Sequence, residues 1–151
     1  MTRNQTELTY LRAGVQSASS VQLVIILYDL LIGALMSAIG AIDKNDIEER
    51  SRELKRAFLV LEQMECSLDM ESGGDAAKNL ARFYAALRSN ILNAHAQESR
   101  SGLEKQIQLL FQVRSAWATV DRQSAANNPS ALSSSQGSAL EQPQLAANWT
   151  A

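Results

Sequence analysis

The chain has 151 residues, of which 46% are apolar and 20% are charged. This length suits a single domain, and this balance is typical of a globular protein. The net charge of -2 disfavours a nucleic-acid binder that works by neutralising phosphates. The single cysteine excludes an internal disulfide and a multi-cysteine metal site, and a lone thiol suits a reducing cytoplasm.

The N-terminal segment, residues 1–18, is polar and weakly patterned. No apolar run follows Arg3, so the sequence predicts no signal peptide. We expect this short segment to pack on the domain that follows it, through apolar residues such as Tyr10 and Leu11.

The stretch from Val21 to Ile42 is almost entirely apolar and contains one charge, Asp29. It is long enough to cross a membrane. A carboxylate near its middle would cost about 3 kcal/mol, however, and the later helices need a packing partner. We therefore expect a buried helix whose apolar surface exceeds what a bundle requires. The residues beyond its core stripe are Ile25, Ile32, Met36 and Ile39. Either the N-terminal segment or a partner protein is expected to cover them.

A second helix is predicted from Asp46, whose side chain is placed to cap it, with Glu49 at the matching third position. Apolar residues then recur at heptad spacing on one face of this helix. Leu59 and Val60 lie off that stripe in a charged face, so we expect them to extend the partner surface.

Two further helices follow a glycine pair, Gly73 and Gly74, which stops the second helix and turns the chain. Asp75 is expected to cap the third helix. The fourth is expected to open at Ser101, which has a glutamate three residues later. Both helices carry apolar stripes at steps of three and four residues.

From Arg122 onward the chain is rich in Ser, Ala, Gln and Asn and holds both prolines. This composition predicts a disordered tail. The sequence thus predicts an all-α fold, an antiparallel up-down four-helix bundle over residues 19–121. A short N-terminal segment, residues 1–18, packs on it as a candidate lid, and residues 122–151 form the disordered C-terminal tail.

The sequence offers little catalytic or metal-binding chemistry. His95 is the only histidine, and Leu92 stands where a Glu-x-x-His metal motif needs glutamate. The loop LDMESGGD has carboxylates but lacks the ligand order of a calcium loop. Cys66 has no histidine near it in sequence. We predict no catalytic residues, no metal and no cofactor, and a protein that is not an enzyme.

Three segments resemble the signatures of the flagellin-specific export chaperones, the FliS family. They are LVIILYDLL in the first helix, LDMESGGDAAKNLARFYAALRSNILNAH, and LLFQVRSAWATV in the last helix. Tyr10 also lies where the family carries a tyrosine ahead of the first helix. The resemblance covers about residues 8–121, with the segments in the family's order and spacing.

The resemblance implies a cytoplasmic, non-enzymatic chaperone that binds the C-terminal segment of flagellin. Such a protein prevents premature polymerisation and assists export through the flagellar type III secretion system. The export apparatus is then a further partner, and no nucleic-acid or membrane partner is expected. The resemblance makes Tyr10 a lid residue, and it places Asp29 and Asp69 where we expect polar contacts within the bundle.

The predicted partner-binding residues are Tyr10, Ile25, Ile32, Leu59, Val60, Phe83 and Tyr84. Phe83 and Tyr84 match the family's aromatic position, whereas the apolar residues of the first two helices come from helical geometry. An alternative stays open. The bundle could self-associate through its first helix and act as a structural or adaptor protein, a homodimer without flagellin cargo.

Overall fold

The computed structural model describes residues 20–127, which form α1 (Ser20–Asp43), α2 (Ile47–Cys66), α3 (Gly74–Ala96) and α4 (Arg100–Asn127). Each helix packs against the next one in the chain, and α4 also packs against α1. Because short turns reverse the chain between them, the helices form an antiparallel up-down bundle. The predicted all-α fold is confirmed. The predicted lid and nearly all of the predicted tail lie outside the described residues.

The apolar helix α1 is the central helix of this bundle. By length and composition it could cross a membrane, but here one side of it packs against α2 and α4. Its buried residues are Tyr28, Leu31, Ile32, Ala34, Leu35, Ala38, Ile39 and Ala41. At about 100° per residue these positions cover roughly half of the helix surface. Ile32 and Ile39 therefore belong to the core, whereas Met36 is 49% exposed.

The other three helices each contribute large, fully buried side chains to the same core. They are Leu54, Leu61 and Met64 of α2, Tyr84, Leu87 and Ile91 of α3, and Leu103 and Leu110 of α4. Burying one such side chain is worth about 1.5–3 kcal/mol. The predicted stripes thus meet in one hydrophobic core.

The helix N-termini show which predicted caps form. Asp46 caps α2 as predicted, because its carboxylate accepts a hydrogen bond from the Glu49 amide at 3.0 Å. The prediction for α3 is wrong. Gly73 occupies the cap position without a side-chain hydrogen bond, and Asp75 lies in the first turn. Its negative charge there is favourable because the N-terminus of a helix carries a partial positive charge.

Both ends of α4 differ from the prediction. The cap is Ser99 rather than Ser101, since Ser99 Oγ accepts a hydrogen bond from the Gly102 amide at 3.0 Å. The helix also continues to Asn127, past the point at which the tail was expected to begin. Residues 122–127 contain no proline or glycine, and their glutamine and alanines favour a helix. The first proline, Pro129, comes just after the helix ends.

Charged residues join the two turns at one end of the bundle. Arg100 bonds to Asp43 across these turns, and Arg50 pairs with Glu98 at 3.1 Å. The turns that follow α1 and α3 each contain a residue with a left-handed backbone, Asn45 with a φ of 55° and Glu98 with a φ of 50°. This end of the bundle is therefore fixed by turn geometry and ion pairs, and the opposite end is more open.

Candidate functional site

A groove opens at the end of the bundle where α1 begins and α4 ends. We call it the end groove. It has a volume of about 210 Å³ and is lined mainly by apolar side chains. The large ones at its walls are half-buried and pack against the core: Val24, Leu68, Leu80 and Trp117. Part of each side chain therefore stays accessible to a ligand.

Two tyrosines join α1 and α3 beneath this groove. The hydroxyl groups of Tyr28 and Tyr84 are 3.0 Å apart and buried, and Trp117 also hydrogen-bonds Tyr28. The rings of the two tyrosines meet edge to face, with 6.3 Å between their centroids. Burial raises the pKa of both phenols above the ordinary 10.0, so both remain uncharged. Tyr84 therefore presents a neutral surface to the groove.

Asp69 holds the loop between α2 and α3 at the edge of the end groove. Its carboxylate accepts hydrogen bonds from the Ser72 amide at 2.9 Å, the Ser72 hydroxyl at 2.7 Å and the Glu71 amide at 3.1 Å. These bonds, above all the one from the Ser72 amide, lower the pKa of Asp69. The polar contacts expected for this residue are present, and they shape the loop.

The glycine pair brings the same loop close to α3. A Cβ atom on Gly73 would lie 2.6 Å from the Cβ of Ala77, well inside van der Waals contact. Gly74 has a φ of +57°, a conformation that side chains disfavour. The close approach needs the first glycine and the turn needs the second.

Asp29 fixes α1 against α4 on the outside of the bundle. Its two carboxylate oxygens accept hydrogen bonds from Arg114, from Nε at 2.5 Å and from an Nη atom at 3.2 Å. The contact expected for Asp29 is therefore present, and it raises the pKa of Arg114. This ion pair links α1 to α4 at the bundle surface.

One of the predicted partner-binding residues lines the end groove, and two others are neighbours in sequence of residues that line it. Tyr84 lines the groove, and the Phe83 ring is half-buried with its centroid 5.9 Å from that of Tyr84. Ile25 is half-buried and follows Val24, which lines the groove. Their contact with a partner stays a prediction.

Leu59 and Val60 face different surroundings. Leu59 is 62% exposed and lines a second groove of about 320 Å³ between α2 and α3. In that groove the Arg88 guanidinium lies 5.8 Å from the centroid of the Phe58 ring. Val60 is half-buried and packs against the core. Adjacent helical residues point about 100° apart, which separates these two side chains.

The remaining predicted residues are Ile32 and Tyr10. Ile32 is buried, with 4% of its surface exposed, and Tyr10 lies outside the described residues. Their roles stay predictions.

The sequence did not single out the half-buried walls of the end groove, because Leu68, Leu80 and Trp117 follow the core stripes of their helices. The sequence feature that could have identified them as groove walls is their position at the ends of those stripes, near the glycine turn.

Metal-binding and nucleophilic chemistry are sparse in the part of the chain that the structure describes. Residues 20–127 contain no group of three or more histidine, cysteine or acidic side chains that could hold a metal ion. Cys66 is exposed, and His95 lines the groove between α2 and α3.

The three segments that carry the resemblance meet at the end groove. The first supplies Val24 and the buried Tyr28, the second supplies Leu68 to Tyr84, and the third supplies Trp117. A mainly apolar groove on a helical bundle suits the apolar side chains of a polypeptide segment. The structure is therefore that of a helical bundle with an accessible, mainly apolar groove at one end.

Comparison with known proteins identifies the family. The family described as "Flagellar protein FliS" matches residues 2–124, so the chain belongs to it, and the resemblance seen in the sequence is confirmed. The chain is 28% identical to the flagellar secretion chaperone FliS of Salmonella typhimurium, over 72% of this chain and 81% of that protein. It is 28% identical to the flagellar secretion chaperone FliSB of Pseudomonas aeruginosa, over 71% and 85%. It is 29% identical to FliS of Escherichia coli, over 70% and 78%.

Proposed function

We propose that this protein is a cytoplasmic chaperone that binds the C-terminal segment of flagellin. It keeps the subunit from polymerising early and assists its export through the flagellar type III secretion system, where the export apparatus is a further partner. In this role the protein binds its cargo and catalyses no reaction. Family membership supports the export role, and the end groove supports the binding of a polypeptide.

The observation that carries the proposal is the meeting of the three family segments at one accessible apolar groove. Residues that served only the core would be covered by the bundle, as Leu87 and Ile91 are. Leu80 and Trp117 are instead half-buried at the groove walls. A cargo side chain seated between them would bury apolar surface that the bundle leaves in water, at about 25 cal/mol per Å².

A cargo segment that is disordered when free must offset its loss of conformational entropy on binding. Contact over a large surface does this, so one groove of this size is not sufficient. The groove between α2 and α3 supplies a second apolar contact through Leu59, which is 62% exposed. We propose that the cargo reaches both grooves.

We propose that the N-terminal segment acts as a lid. It joins the bundle at Ser20, one helical turn before Val24 of the end groove. Tyr10 is ten residues from Ser20, a distance that an extended chain spans with about 33 Å of reach. We propose that Tyr10 covers the end groove when cargo is absent and leaves it when cargo binds.

Titration calorimetry of the purified protein with the flagellin C-terminal segment tests the proposal. We expect a one-to-one complex with a dissociation constant in the micromolar range or tighter. Leu80→Ala should weaken binding roughly tenfold, since it removes an apolar anchor. Leu92→Ala is the matched control, because Leu92 lies on the same helix, is 50% exposed and lines neither groove. No binding by the wild-type protein at micromolar concentrations would refute the proposal.

The alternative of a self-associating bundle predicts a different result. Sedimentation would show a concentration-dependent homodimer that Ile25→Glu disperses, since Ile25 lies on α1 and is only half-buried. A monomer that this change leaves unaltered, and that binds the flagellin segment, favours the chaperone.

A further inference from the structure

The groove between α2 and α3 combines an apolar lining with an unpaired charge. We call it the α2–α3 groove. Its volume is about 320 Å³, and Leu54, Phe58 and Leu59 supply its apolar lining. Leu54 is buried, Phe58 is half-buried and Leu59 is 62% exposed. An apolar side chain that entered the groove would therefore contact Phe58 and Leu59 and remove them from water.

The charged residues of this groove are positive on balance. Lys55 and Arg88 line it together with one carboxylate, that of Glu62. Arg88 is paired with Glu65 at 2.6 Å, whereas Lys55 is exposed and takes part in none of the ion pairs among residues 20–127. Lys55 and Glu62 are two turns apart on α2, a rise of about 10 Å. The groove therefore suits a ligand that has a carboxylate next to an apolar side chain.

The chain contains such a pair of residues after α4. Residues 128–151 follow Asn127, the last residue of α4, and they lie beyond the family match, which covers residues 2–124. The charged side chain among them is that of Glu141, and it directly follows Leu140. An apolar side chain and a carboxylate are thus adjacent in a segment that the family resemblance does not explain.

Two other grooves of the bundle suit this pair less well. The charged residue in the lining of the end groove is Asp69, whose carboxylate would repel Glu141. A groove between α3 and α4 has Lys105 in its lining, but its large apolar residue, Leu109, is 37% exposed, against 62% for Leu59. Charge and apolar surface together favour the α2–α3 groove.

The length of chain after α4 allows this pair of residues to reach the α2–α3 groove. Asn127 lies at the open end of the bundle, and Leu59 lies roughly 20 Å away along the bundle axis. Passing around α3 adds about two interhelical distances of 8–10 Å, so the path is roughly 30 Å. From Asn127, an extended chain reaches about 43 Å by Leu140 but about 17 Å by Leu132. Leu140 can therefore reach the groove, and Leu132 cannot.

A segment that is attached to the bundle needs little intrinsic affinity to occupy the groove, because its tether keeps it at an effective concentration of about a millimolar. We propose that Leu140 and Glu141 dock into the α2–α3 groove of their own chain. Leu140 packs on the apolar lining, and the Glu141 carboxylate pairs with Lys55. Since the proposed function places cargo in the same groove, this segment leaves the groove when cargo binds there.

Zero-length cross-linking of the whole chain tests the docking without cargo. A carbodiimide joins a lysine amine to a carboxylate, with loss of water, where the two groups are in contact. Glu141 is the carboxylate side chain of residues 128–151, and the lysines that it could meet are Lys44, Lys55, Lys78 and Lys105. In the monomer fraction, mass spectrometry should find Glu141 linked chiefly to Lys55. Links chiefly to Lys105, or links spread evenly over the lysines, would overturn the proposal.

Two leucine substitutions in the same segment form a matched pair. Leu140→Ser should lower the yield of the Glu141–Lys55 link roughly three- to tenfold, because it removes the apolar contact. Leu132→Ser should leave that yield unchanged, because Leu132 cannot reach the groove. Equal yields in the two variants would contradict the docking. A link between an isotopically labelled chain and an unlabelled one would place a second copy's segment in the groove, and would overturn docking within one chain.

Amide chemical shifts give a readout that needs no reagent. Leu140→Ser should shift the amide signals of Lys55, Phe58 and Leu59, since the docked segment is then lost from the groove. Leu132→Ser should leave these signals in place. If Leu140→Ser leaves all three signals unchanged, the segment does not occupy the groove.

Calorimetry with the flagellin C-terminal segment separates this inference from the proposed function. If Leu140 and Glu141 occupy the groove for about half to nine-tenths of the time, Leu140→Ser should strengthen cargo binding roughly two- to tenfold. Failure of the wild type to bind the flagellin segment would refute the proposed function, whereas the cross-link to Lys55 would still support the docking. Wild-type binding that Leu140→Ser leaves unchanged would overturn the competition between this segment and cargo.

Discussion

Removing the hydroxyl group of Tyr28 or of Tyr84 should reduce the stability of the protein by unequal amounts. Tyr28 hydrogen-bonds both Tyr84 and Trp117, whereas the hydrogen bond shown for Tyr84 goes to Tyr28. Tyr84→Phe leaves Tyr28 with Trp117 as a partner and should cost about 1 kcal/mol. Tyr28→Phe leaves the Tyr84 hydroxyl and the Trp117 indole without that partner, and should cost about 2–3 kcal/mol.

Urea unfolding followed by circular dichroism measures both free energies of unfolding. Leu59→Ala is the control, because Leu59 is 62% exposed and its truncation should change stability by less than about 0.5 kcal/mol. The double variant should cost less than the sum of the two single variants, since both remove the same hydrogen bond. If Tyr84→Phe proves as costly as Tyr28→Phe or more so, the assignment of Tyr28 as the shared partner is wrong.

The same pair predicts how stability depends on alkaline pH. Burial raises the pKa of both phenols in the folded protein above 10.0, while the unfolded chain titrates at the ordinary value. The difference in pKa between the folded and unfolded states means that the two uncharged phenols contribute to stability fully below pH 10. This contribution is lost as the pH rises through the folded-state pKa. Absorbance of the phenolate in a Tyr10→Phe variant, which leaves the two buried tyrosines, should rise above pH 10 together with the loss of helix. Ionisation near pH 10 in a protein that stays folded would contradict the burial.

Three further predictions concern the turn and the outer helix contacts. Gly73→Ala should cost about 1–3 kcal/mol in urea unfolding, because its Cβ would overlap the loop and the next turn of α3. Gly33→Ala, on the outside of α1, should instead stabilise by about 0.5–1 kcal/mol, and equal effects would refute the argument. Asp29→Asn should cost less than about 1 kcal/mol, and less still in high salt, because its ion pair is half-exposed. The pKa of Asp69 is lowered in the folded protein, so its hydrogen bond to the Ser72 amide should be fully present above pH 3.8 and be lost as the pH falls below that value. Hydrogen exchange of the Ser72 amide should show this loss as a loss of protection. Asp69→Asn should abolish this pH dependence.

The sequence predicted the helices well because each carries a continuous apolar stripe, and it predicted their ends less well. Asp46 was identified as a cap because a polar residue preceded a clear stripe. At the start of α4, the glutamate three residues after Ser101 favoured that serine in sequence. In the structure the chain makes a left-handed turn at Glu98, and Ser99 is the cap. The apolar excess of α1 was overestimated for a related reason. The apolar pattern of a single helix does not show how much of its surface the neighbouring helices bury. Here α2 and α4 pack on α1 over a wide face, and Ile32 and Ile39 belong to the core.

The candidate site was harder to predict than the fold because accessibility is a property of where a residue lies along the bundle. Leu80 and Leu87 occupy equivalent positions on the stripe of α3, one heptad apart. Leu87 lies in the middle of the bundle and is 1% exposed, whereas Leu80 lies near its open end and is half-buried. Periodicity gives both residues the same description. Only the antiparallel packing, which places the beginning of α3 beside the beginning of α1 and the end of α4, turns Leu80 into a groove wall. A groove at an end of a bundle will therefore draw its residues from the ends of core stripes, and those residues are the ones to test first for cargo binding.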